Sequence, residues 1–273
     1  MPELPEVETV ARSLEKGQGS EAGILNQKII KAEVDWAKSV ATPSLRLFKS
    51  RIKNQRVLRV GRRAKYIHIQ LSEDALLVHL RMSGDLLIGR QPEDLGKYSR
   101  LRIYFDSGQI LSFNDARKFG RVWLIKDPSE IYAGLGPEPL GKDLSNDDFY
   151  LALQKRKRQL KPLLLDQSFI AGIGNIYADE ALHAAQLHPL SIANQLTRAD
   201  ADRLLQSIRV VLEEAIRRNG SSIDWSYKGG EFQNQFAVYQ KTGEECPRCG
   251  EKILRIVVGQ RGTHFCKNCQ ALL

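Results

Sequence analysis

The sequence has no apolar run long enough to cross a membrane. A transmembrane helix needs about 20 consecutive apolar residues, and ALLVHL (75–80) is among the longer runs here. The first residues are acidic, whereas a secretory signal peptide has a basic segment followed by an apolar one. Internal repeats and coiled-coil heptads, which would suggest an oligomer, are also missing. We therefore expect a monomeric protein that is cytoplasmic or nucleoid-associated.

Cysteine is absent from the first 245 residues. The four cysteines form a C-x2-C pair, sixteen intervening residues and a second C-x2-C pair: Cys246, Cys249, Cys266 and Cys269. This spacing is typical of four-thiolate zinc sites, where each pair occupies two corners of a tetrahedron. Two disulfides are the alternative, but they are rare in proteins that are not secreted. We predict one Zn2+ ion, and because sulfur fills all four positions, we expect it to be structural.

Acidic residues are fewer than basic ones. The chain has 32 Asp and Glu against 41 Lys and Arg, which gives a net charge of +9 and a pI near 9.4. Both halves of the chain carry the excess, so it is not the property of a tail. A polyanionic partner follows, with nucleic acid as the first expectation and an anionic membrane as the second.

The first half of the chain is rich in predicted strands. Several short apolar segments alternate with period two, and a DSG turn signal (106–108) separates two of them. The segments are 28–36, 55–61, 65–71, 75–82, 101–105, 109–113 and 121–125. Strands at this spacing indicate a β-sandwich or barrel, with an N-terminal helix packed against it. The stretch GLGPEPLGKD (134–143) then predicts a boundary, so we assign 1–134 to this domain and 135–143 to a linker.

The second half changes to helical spacing, which makes the predicted fold class α+β. Four helices are predicted. The first begins with a cap at Ser145 and runs to about Arg158, the second covers 161–169 and the third 175–186. The fourth is long and runs from the Thr197–Asp200 cap to Asn219-Gly220. The cysteine segment predicts a hairpin, ILRIVVG followed by THFC. We assign 144–240 to a helical domain and 241–273 to a zinc finger.

The N-terminal stretch MPELPEVETV contains more than a helix start requires. Pro and Glu suit the first turn of a helix, where free N–H groups and a positive dipole end favour them. That accounts for Glu6 and Glu8. It leaves Pro2 and Glu3 unexplained.

Four other stretches also exceed what folding needs. They are RRAKY (62–66), HLRMSG (79–84), NDARKFG (114–120) and AGIGN (171–175). Three of them have an ordinary explanation as well: a charged strand edge, a Met that fills the core, and a helix cap at Asn175. In NDARKFG, Arg117 and Phe119 lie two apart, on the same side of any extended segment. Taken singly, none of them indicates a function.

As a set, these stretches resemble the formamidopyrimidine-DNA glycosylases of bacterial base-excision repair. The motifs that carry the resemblance are PELPEVE, HLRMSG, NDARKFG, LGPEPL, IAGIGNIYADEAL, VYQKTGEECPRCG and GQRGTHFCKNC, in this order from residue 2 to about 270. The sister family of endonuclease VIII enzymes is also similar, but it typically has Gly where Leu4 stands here. The resemblance implies a β-sandwich domain, a helix–two-turn–helix DNA-binding domain and a zinc finger.

The resemblance implies that Pro2 is the catalytic nucleophile once Met1 has been removed. A terminal α-amine has a reference pKa near 8, against about 10.4 for lysine, so much more of it is free base at neutral pH. Glu3 would then supply acid–base help at the sugar. Lys65 in RRAKY resembles the lysine that assists the first elimination, and Arg261 resembles the arginine assigned to the second.

The same resemblance assigns residues that enter the DNA. Met82, Arg117 and Phe119 resemble the set that fills the duplex after the damaged nucleotide has left it. An apolar wedge separates stacked bases, and a guanidinium can hydrogen-bond the orphaned base, by resemblance a cytosine. WSYKGGEFQ (225–233) occupies the region that covers the extruded base in the family, but it is only loosely similar in sequence.

Other residues resemble phosphate contacts. Asn175, together with Lys157 and Lys161, resembles the anchoring part of the helix–two-turn–helix motif. Many family members have a KHDH-like stretch where this chain has KYSR (97–100). A histidine-dependent role is lost there, but Tyr98 can still hydrogen-bond a phosphate.

Three functions are compatible with these observations. The first is a bifunctional DNA glycosylase and abasic-site lyase that removes oxidised purines, namely 8-oxoguanine and formamidopyrimidines, from duplex DNA by β,δ-elimination. The second is a non-enzymatic nucleic-acid-binding protein with a zinc ribbon. The third is an endonuclease VIII-like lyase for oxidised pyrimidines or abasic sites. The pair Pro2 and Glu3 favours the first over the second.

Overall fold

The chain forms two compact units. The structure, a computed structural model, describes residues 1–222 and 229–273. Unit 1 contains Met1–Ala133 and Asn219–Gly230, and unit 2 contains Gly134–Arg218 and Glu231–Leu273. The elements are of mixed type, which confirms the predicted α+β class. The finer domain boundaries drawn from the sequence stay a prediction.

Unit 1 consists mainly of antiparallel strands. Its helices are α1 (Leu4–Lys16), α2 (Leu45–Ile52) and α3 (Ser129–Tyr132). Its strands are β1 (Gly17–Gln18), β2 (Glu21–Ala22), β3 (Ile29–Val34), β4 (Val40–Thr42), β5 (Val57–Arg63), β6 (Tyr66–Leu71), β7 (Ala75–His79), β8 (Gly84–Gly89), β9 (Ser99–Phe105), β10 (Ile110–Asp115) and β11 (Arg121–Ile125).

Two sheets enclose the core of unit 1. One has the strand order β3-β9-β10-β8, and the other has the order β4-β11-β7-β6-β5. Apolar side chains of both sheets form a single buried cluster, which Val7, Val10 and Leu14 of α1 complete. The burial of β6 alternates residue by residue, as expected when one face of a strand meets the core. The predicted β-sandwich with a packed N-terminal helix is confirmed.

The sequence-based prediction omits several elements of unit 1: the short β1, β2, β4 and α3, and also strand β8 and helix α2. Strand β8 has the sequence GDLLIG, where adjacent leucines and terminal glycines hide the period of two. Its pairing with β10, from Ile110–Gly89 to Asp115–Gly84, makes it a strand. Helix α2 is short, and only Phe48 and Ile52 of it are buried, which leaves a weak apolar stripe.

Unit 2 is helical and ends in a β-hairpin. Its elements are α4 (Asn146–Gln154), α5 (Leu160–Leu164), α6 (Asn175–Ala184), α7 (Arg198–Arg217), β12 (Ile253–Val258) and β13 (Arg261–Cys266). Ser145 accepts a hydrogen bond from the Asp148 N–H, and Thr197 forms a reciprocal capping box with Asp200, so both predicted helix starts are confirmed. None of the described helices combines the length and the apolar character of a membrane span.

The predicted end of α4 is wrong. The helix stops at Gln154 instead of near Arg158. The carbonyls of Arg156 and Arg158 accept hydrogen bonds from Asn194 N–H at 3.2 Å and Ala193 N–H at 2.9 Å. The basic run therefore leaves the helix because a neighbouring segment pairs with its backbone. The second helix, α5, is likewise shorter than predicted and ends at Leu164.

Candidate functional site

The predicted site residues divide between the two units. Unit 1 contains Pro2, Glu3, Lys65, Met82, Tyr98, Arg117 and Phe119. Unit 2 contains Lys157, Lys161, Asn175, Arg261 and the four cysteines. Residues 225–228 of the predicted base-covering loop (225–233) lie outside the described residues.

The N-terminal turn of unit 1 is buried. Pro2 and Glu3 directly precede α1, and both side chains are buried, Glu3 with 3% of its surface exposed. The Glu3 backbone N–H donates to Glu6 Oε2 at 2.8 Å, which fixes the chain at the start of the helix. Glu8 forms an ion pair with Arg62, with 3.0 Å between Glu8 Oε2 and Arg62 Nε. Glu3 is also the N-cap residue of α1 and forms a reciprocal capping box with Glu6. The helix therefore accounts for Glu3, Glu6 and Glu8 and leaves Pro2 unexplained, while the reactive pair of Pro2 and Glu3 stays a prediction from the resemblance.

Glu6 also holds the segment that returns to unit 1 late in the chain. Its Oε1 accepts hydrogen bonds from the Ser221 backbone N–H at 2.8 Å and from Ser221 Oγ at 3.2 Å. Gly220 has φ 75°, and a Cβ on it would lie 2.7 Å from Glu6 Oε1. Glycine is therefore required by both conformation and space. The sequence carries no signal for this contact, because 215 residues separate its two partners.

Lys65 lies in a tight turn beside a histidine that sequence reasoning missed. The turn Ala64-Lys65 joins β5 to β6, and Lys65 is buried. His79, at the end of β7, accepts the Arg81 backbone N–H on Nδ1 at 3.0 Å. Burial, together with the charges of Arg81 and Lys65, lowers the pKa of His79 from 6.5 to about 3. The ring is therefore neutral with its proton on Nε2, and it can donate a hydrogen bond to an anion.

Two loops at the ends of β7 and β10 expose apolar side chains. Met82 follows β7 and is 42% exposed, and Phe119 precedes β11 and is 47% exposed. The guanidinium of Arg117 lies 5.0 Å from the Phe119 ring centroid, which is a cation–π distance. Exposed apolar side chains beside a cation suit insertion between stacked bases.

Tyr98 is exposed and has cations close to its ring. Lys97 Nζ and the Arg100 guanidinium carbon each lie 5.8 Å from the ring centroid. Arg100 Nε also donates to the Asp115 carbonyl at 2.8 Å, which holds this cation at the edge of the sheet. The segment that replaces the family's histidine-containing stretch is therefore an aromatic and cationic surface.

The structure corrects the predicted role of Lys161. This side chain is 0% exposed, and its Nζ donates to Asp179 Oδ1 at 2.6 Å and to the Asn175 carbonyl at 2.8 Å. It therefore has no surface from which to contact a phosphate. Asp179 Oδ2 also accepts the His264 backbone N–H at 3.0 Å. Lys161 therefore joins α5 to α6 through buried hydrogen bonds. Lys157, in contrast, is an exposed cation.

Asn175 is not a helix cap. Gly174 occupies the cap position of α6, and Asn175 is the first helical residue. Its Nδ2 donates to the Gly262 carbonyl at 3.0 Å, so it holds the hairpin at the residue after Arg261. Its Oδ1 is buried and has no hydrogen-bond partner among the described residues. The side chain therefore aligns the start of β13, where Arg261 is exposed.

The four cysteines form a metal centre. Their Sγ atoms all lie within 4.8 Å of one another. The Cys246–Cys269 and Cys249–Cys266 distances are 3.8 and 3.5 Å. A Zn–S bond of about 2.3 Å predicts tetrahedral S–S edges of about 3.8 Å. The arrangement therefore fits one zinc ion, and four sulfur ligands make it structural, with no position open to a substrate.

Comparison with known proteins decides the family. The family model described as the Formamidopyrimidine-DNA glycosylase N-terminal domain matches residues 1–122, and that described as its H2TH domain matches 135–226. A third, the zinc finger found in FPG and IleRS, matches 243–272. The chain belongs to the formamidopyrimidine-DNA glycosylase family. The predicted resemblance is confirmed.

Relatives named formamidopyrimidine-DNA glycosylase align with almost the whole length of this chain. That of Chloroflexus aurantiacus is 45% identical, covering 99% of this chain and 98% of the relative. The relative from Herpetosiphon aurantiacus is 43% identical, and the alignment covers 99% of this chain and 100% of the relative.

Solved structures of the Lactococcus lactis enzyme have the same fold. The complex with DNA that contains an abasic site has a TM-score of 0.89 at 38% identity. The complex with DNA that contains Fapy-dG has a TM-score of 0.89 at 39% identity. Each alignment covers 98% of this chain and 99% of the other. This family member therefore has the full architecture of those enzymes.

Proposed function

We propose that the protein is a bifunctional DNA glycosylase and abasic-site lyase that excises oxidised purines from duplex DNA in base-excision repair. The observation that carries the proposal is family membership over the whole chain, including the N-terminal Pro2-Glu3. Described complexes of the L. lactis enzyme contain DNA with an abasic site and DNA with Fapy-dG. The net charge of +9 suits a DNA partner. We also propose that the protein acts as a monomer at the bacterial nucleoid.

Pro2 performs the covalent step in this proposal. Once Met1 is removed, the ring nitrogen is a secondary amine with a free electron pair, whereas an acylated proline nitrogen is not nucleophilic. It attacks the sugar C1′ as the bond from C1′ to the damaged base breaks, and the base leaves with the proton of the ring nitrogen. The C1′–O4′ bond then opens, O4′ takes up a proton, and the nitrogen and C1′ form an iminium. The iminium makes the neighbouring C–H bonds acidic: loss of a C2′ proton expels the 3′ phosphate as the C3′–O bond breaks, and loss of a C4′ proton then expels the 5′ phosphate as the C5′–O bond breaks, which are the β- and δ-eliminations. Glu3 protonates the sugar ring oxygen.

Lys65 and Arg261 assist the two eliminations. Lys65 is held in the β5–β6 turn, and the neutral Nε2–H of His79 adds a hydrogen-bond donor close to it. Arg261 stands exposed at the start of β13 and grips a phosphate with its guanidinium. Zinc contributes by folding the hairpin that presents Arg261 and takes no part in the bond changes.

The remaining residues bind and open the duplex. Met82 and Phe119 fill the gap left by the extruded nucleotide, and Arg117 hydrogen-bonds the orphaned cytosine. Tyr98 and Lys157 contact phosphates from exposed positions. Asn175 and Lys161 act from within unit 2, because Asn175 bonds the Gly262 carbonyl and Lys161 bonds the Asn175 carbonyl.

Borohydride trapping tests the proposed nucleophile. Protein shown by mass spectrometry to lack Met1 is incubated with an 8-oxoguanine duplex and borohydride, which reduces the iminium to a stable adduct. We expect the DNA to be covalently attached to the tryptic peptide that begins at Pro2. Pro2→Gln should give no adduct at residue 2, because Met1 is retained before the larger Gln side chain and the nitrogen of residue 2 therefore stays an acylated amide. Pro5→Ala is the matched control, since it changes a proline of the same turn and should still give one.

The outcome of trapping separates enzyme from binding protein. If the processed wild type forms no adduct with either the 8-oxoguanine or an abasic-site duplex, the enzymatic proposal is wrong. Single-turnover excision of 8-oxoguanine compared with thymine glycol then tests the lesion class. Faster removal of thymine glycol would contradict the assignment to oxidised purines.

A further inference from the structure

The two loops that expose Met82 and Phe119 have unfavourable backbone conformations. Arg81 in the first loop has φ 56°, and Lys118 in the second has φ 61°. Side chains other than glycine rarely adopt this left-handed region, so surrounding contacts must hold both loops in place. These contacts converge on one carboxylate.

Asp115, at the end of β10, binds both loops. Its Oδ1 accepts the Ser83 hydroxyl from the Met82 loop and the Arg117 backbone N–H at 3.2 Å. Its Oδ2 accepts the Gly120 backbone N–H at 2.6 Å. Asp115 is 1% exposed, and Ser83 is also buried. Both oxygens of this buried carboxylate therefore have hydrogen-bond donors, and the donors come from both loops, so the arrangement is rigid.

Ser83 completes a closed set of three hydrogen bonds. Its hydroxyl donates to Asp115 and accepts the Arg117 N–H at 3.2 Å. One hydroxyl can do both at once, and hydrogen bonds linked in this way strengthen one another. Met82 is the residue before Ser83, so the position of its loop depends on the loop that carries Arg117 and Phe119.

We propose that Ser83 and Asp115 are positioning residues that join the Met82 loop to the Arg117–Phe119 loop, so that the three side chains enter the duplex as one unit. This rests on the proposed function, in which those side chains replace the extruded nucleotide. Neither Ser83 nor Asp115 touches DNA in this proposal. Their loss should slow the opening of the duplex and leave the chemical steps at the sugar unchanged.

The structure offers a selective way to break the link. Ser83→Ala removes the hydroxyl but leaves the Arg117 and Gly120 N–H groups bonded to Asp115, so the second loop keeps its own turn. Ser83→Thr retains the hydroxyl. Ser112→Ala is the matched control, because Ser112 is a fully buried serine of β10 whose hydroxyl bonds residues of β9 and β10 and neither loop: it donates to Ser99 Oγ and accepts Asn114 Nδ2 at 3.0 Å.

Single-turnover rates test the proposal on two substrates. With an 8-oxoguanine–cytosine duplex, Ser83→Ala should slow excision about tenfold, since a hydrogen bond to a charged group is lost. Cleavage of a preformed abasic-site duplex, which has no damaged base to unstack, should change less than about twofold. Ser83→Thr should recover most of the rate. Hydrogen exchange of the Arg117 amide should be faster in Ser83→Ala than in Ser112→Ala.

The outcomes distinguish this proposal from the proposed function. If Ser83→Ala matches Ser112→Ala in excision and in amide exchange, the positioning role is wrong and the enzyme assignment stands. An equal loss on both substrates would also overturn it, because that result means general damage to the fold. If the wild type removes no 8-oxoguanine, the function fails, and amide exchange alone decides whether the loops are joined.

Discussion

Lys161 shows how burial changes the meaning of a charged residue. In the sequence it stands in a basic stretch, and a phosphate contact is a reasonable expectation. In the structure its ammonium group and the Asp179 carboxylate are both fully buried and 2.6 Å apart. Removing one member of such a pair leaves an uncompensated charge, which typically costs about 3–5 kcal/mol. A loss of activity in a Lys161 variant therefore cannot be assigned to DNA contact without a stability measurement.

Asp85 makes stability depend on pH. Its carboxyl group accepts the Leu86 N–H at 2.8 Å, and burial raises its pKa from 3.8 to about 7. Between these two values the folded state binds a proton that the unfolded state does not, so its contribution to stability falls as pH rises from about 4 to 7. Asp85→Asn removes this penalty. We expect the variant to be on the order of 2–4 kcal/mol more stable at pH 8 and nearly equal to wild type near pH 4.

Urea unfolding of both proteins at pH 4, 6 and 8 measures this difference. The pair at pH 4 is the internal control, because pH 4 is close to the unfolded-state pKa of 3.8 and the penalty on the folded state is then only about 0.6 kcal/mol. A difference in the free energy of unfolding that is the same at all three pH values would contradict the raised pKa.

Residue chemistry was predictable where the side chain works alone or in a fixed local pattern. The cysteines are recognisable by their spacing, whereas the role of Pro2 was assigned only through the family resemblance and stays a prediction. His79 was not predictable, because its importance lies in its tautomer and in the cations around it. Asp115 lies within a motif, but its bond to Ser83 spans 32 residues and only the fold reveals it.

At the scale of elements, the sequence predicts the helices and strands that depend on short-range patterns, and it does not predict those that depend on pairing with distant segments. The Thr197–Asp200 capping box and the hairpin of β12 and β13 follow from short-range patterns. The end of α4 does not, because the pairing of the basic run with residues 193–194 overrides helix propensity. Strand β8 is likewise defined by its partner β10 rather than by its own alternation.

The β12–β13 hairpin should separate metal binding from DNA binding. Arg261 is exposed at the start of β13, whereas the cysteines that fit zinc lie at the other end of the hairpin and before it. Arg261→Ala should weaken binding to an abasic-site duplex about tenfold, since a charge-assisted phosphate contact is lost. Zinc content, measured by atomic emission, should stay at one per chain.

Arg248→Ala is the matched control for the hairpin. Arg248 is an exposed arginine between the first two cysteines, with no assigned phosphate contact. It should bind DNA nearly as the wild type does. Loss of zinc from Arg261→Ala would show that this residue supports the metal centre, and the proposed division of roles would then be wrong.

At the scale of the whole molecule, composition predicts a polyanionic partner. The sequence does not predict that a late segment of the chain returns to unit 1. The positive charge of both halves indicates a polyanion. Residues 219–230 return to unit 1, where Ser221 bonds the buried Glu6. Such a return depends on a contact between distant residues, and no local pattern encodes it.

The net charge also predicts how binding responds to salt. Each phosphate neutralised by Lys or Arg releases counterions, so the logarithm of the association constant falls with the logarithm of salt concentration, with a slope of about −0.9 per contact. We expect a steep slope for undamaged duplex, measured by fluorescence anisotropy between roughly 50 and 200 mM salt. Lys157→Gln should reduce the slope by about one contact. Lys49→Gln removes the same charge from exposed α2, which has no assigned DNA contact, and should leave the slope unchanged. A flat salt response, or equal effects of the two changes, would contradict specific phosphate contacts and leave only a diffuse attraction of charge.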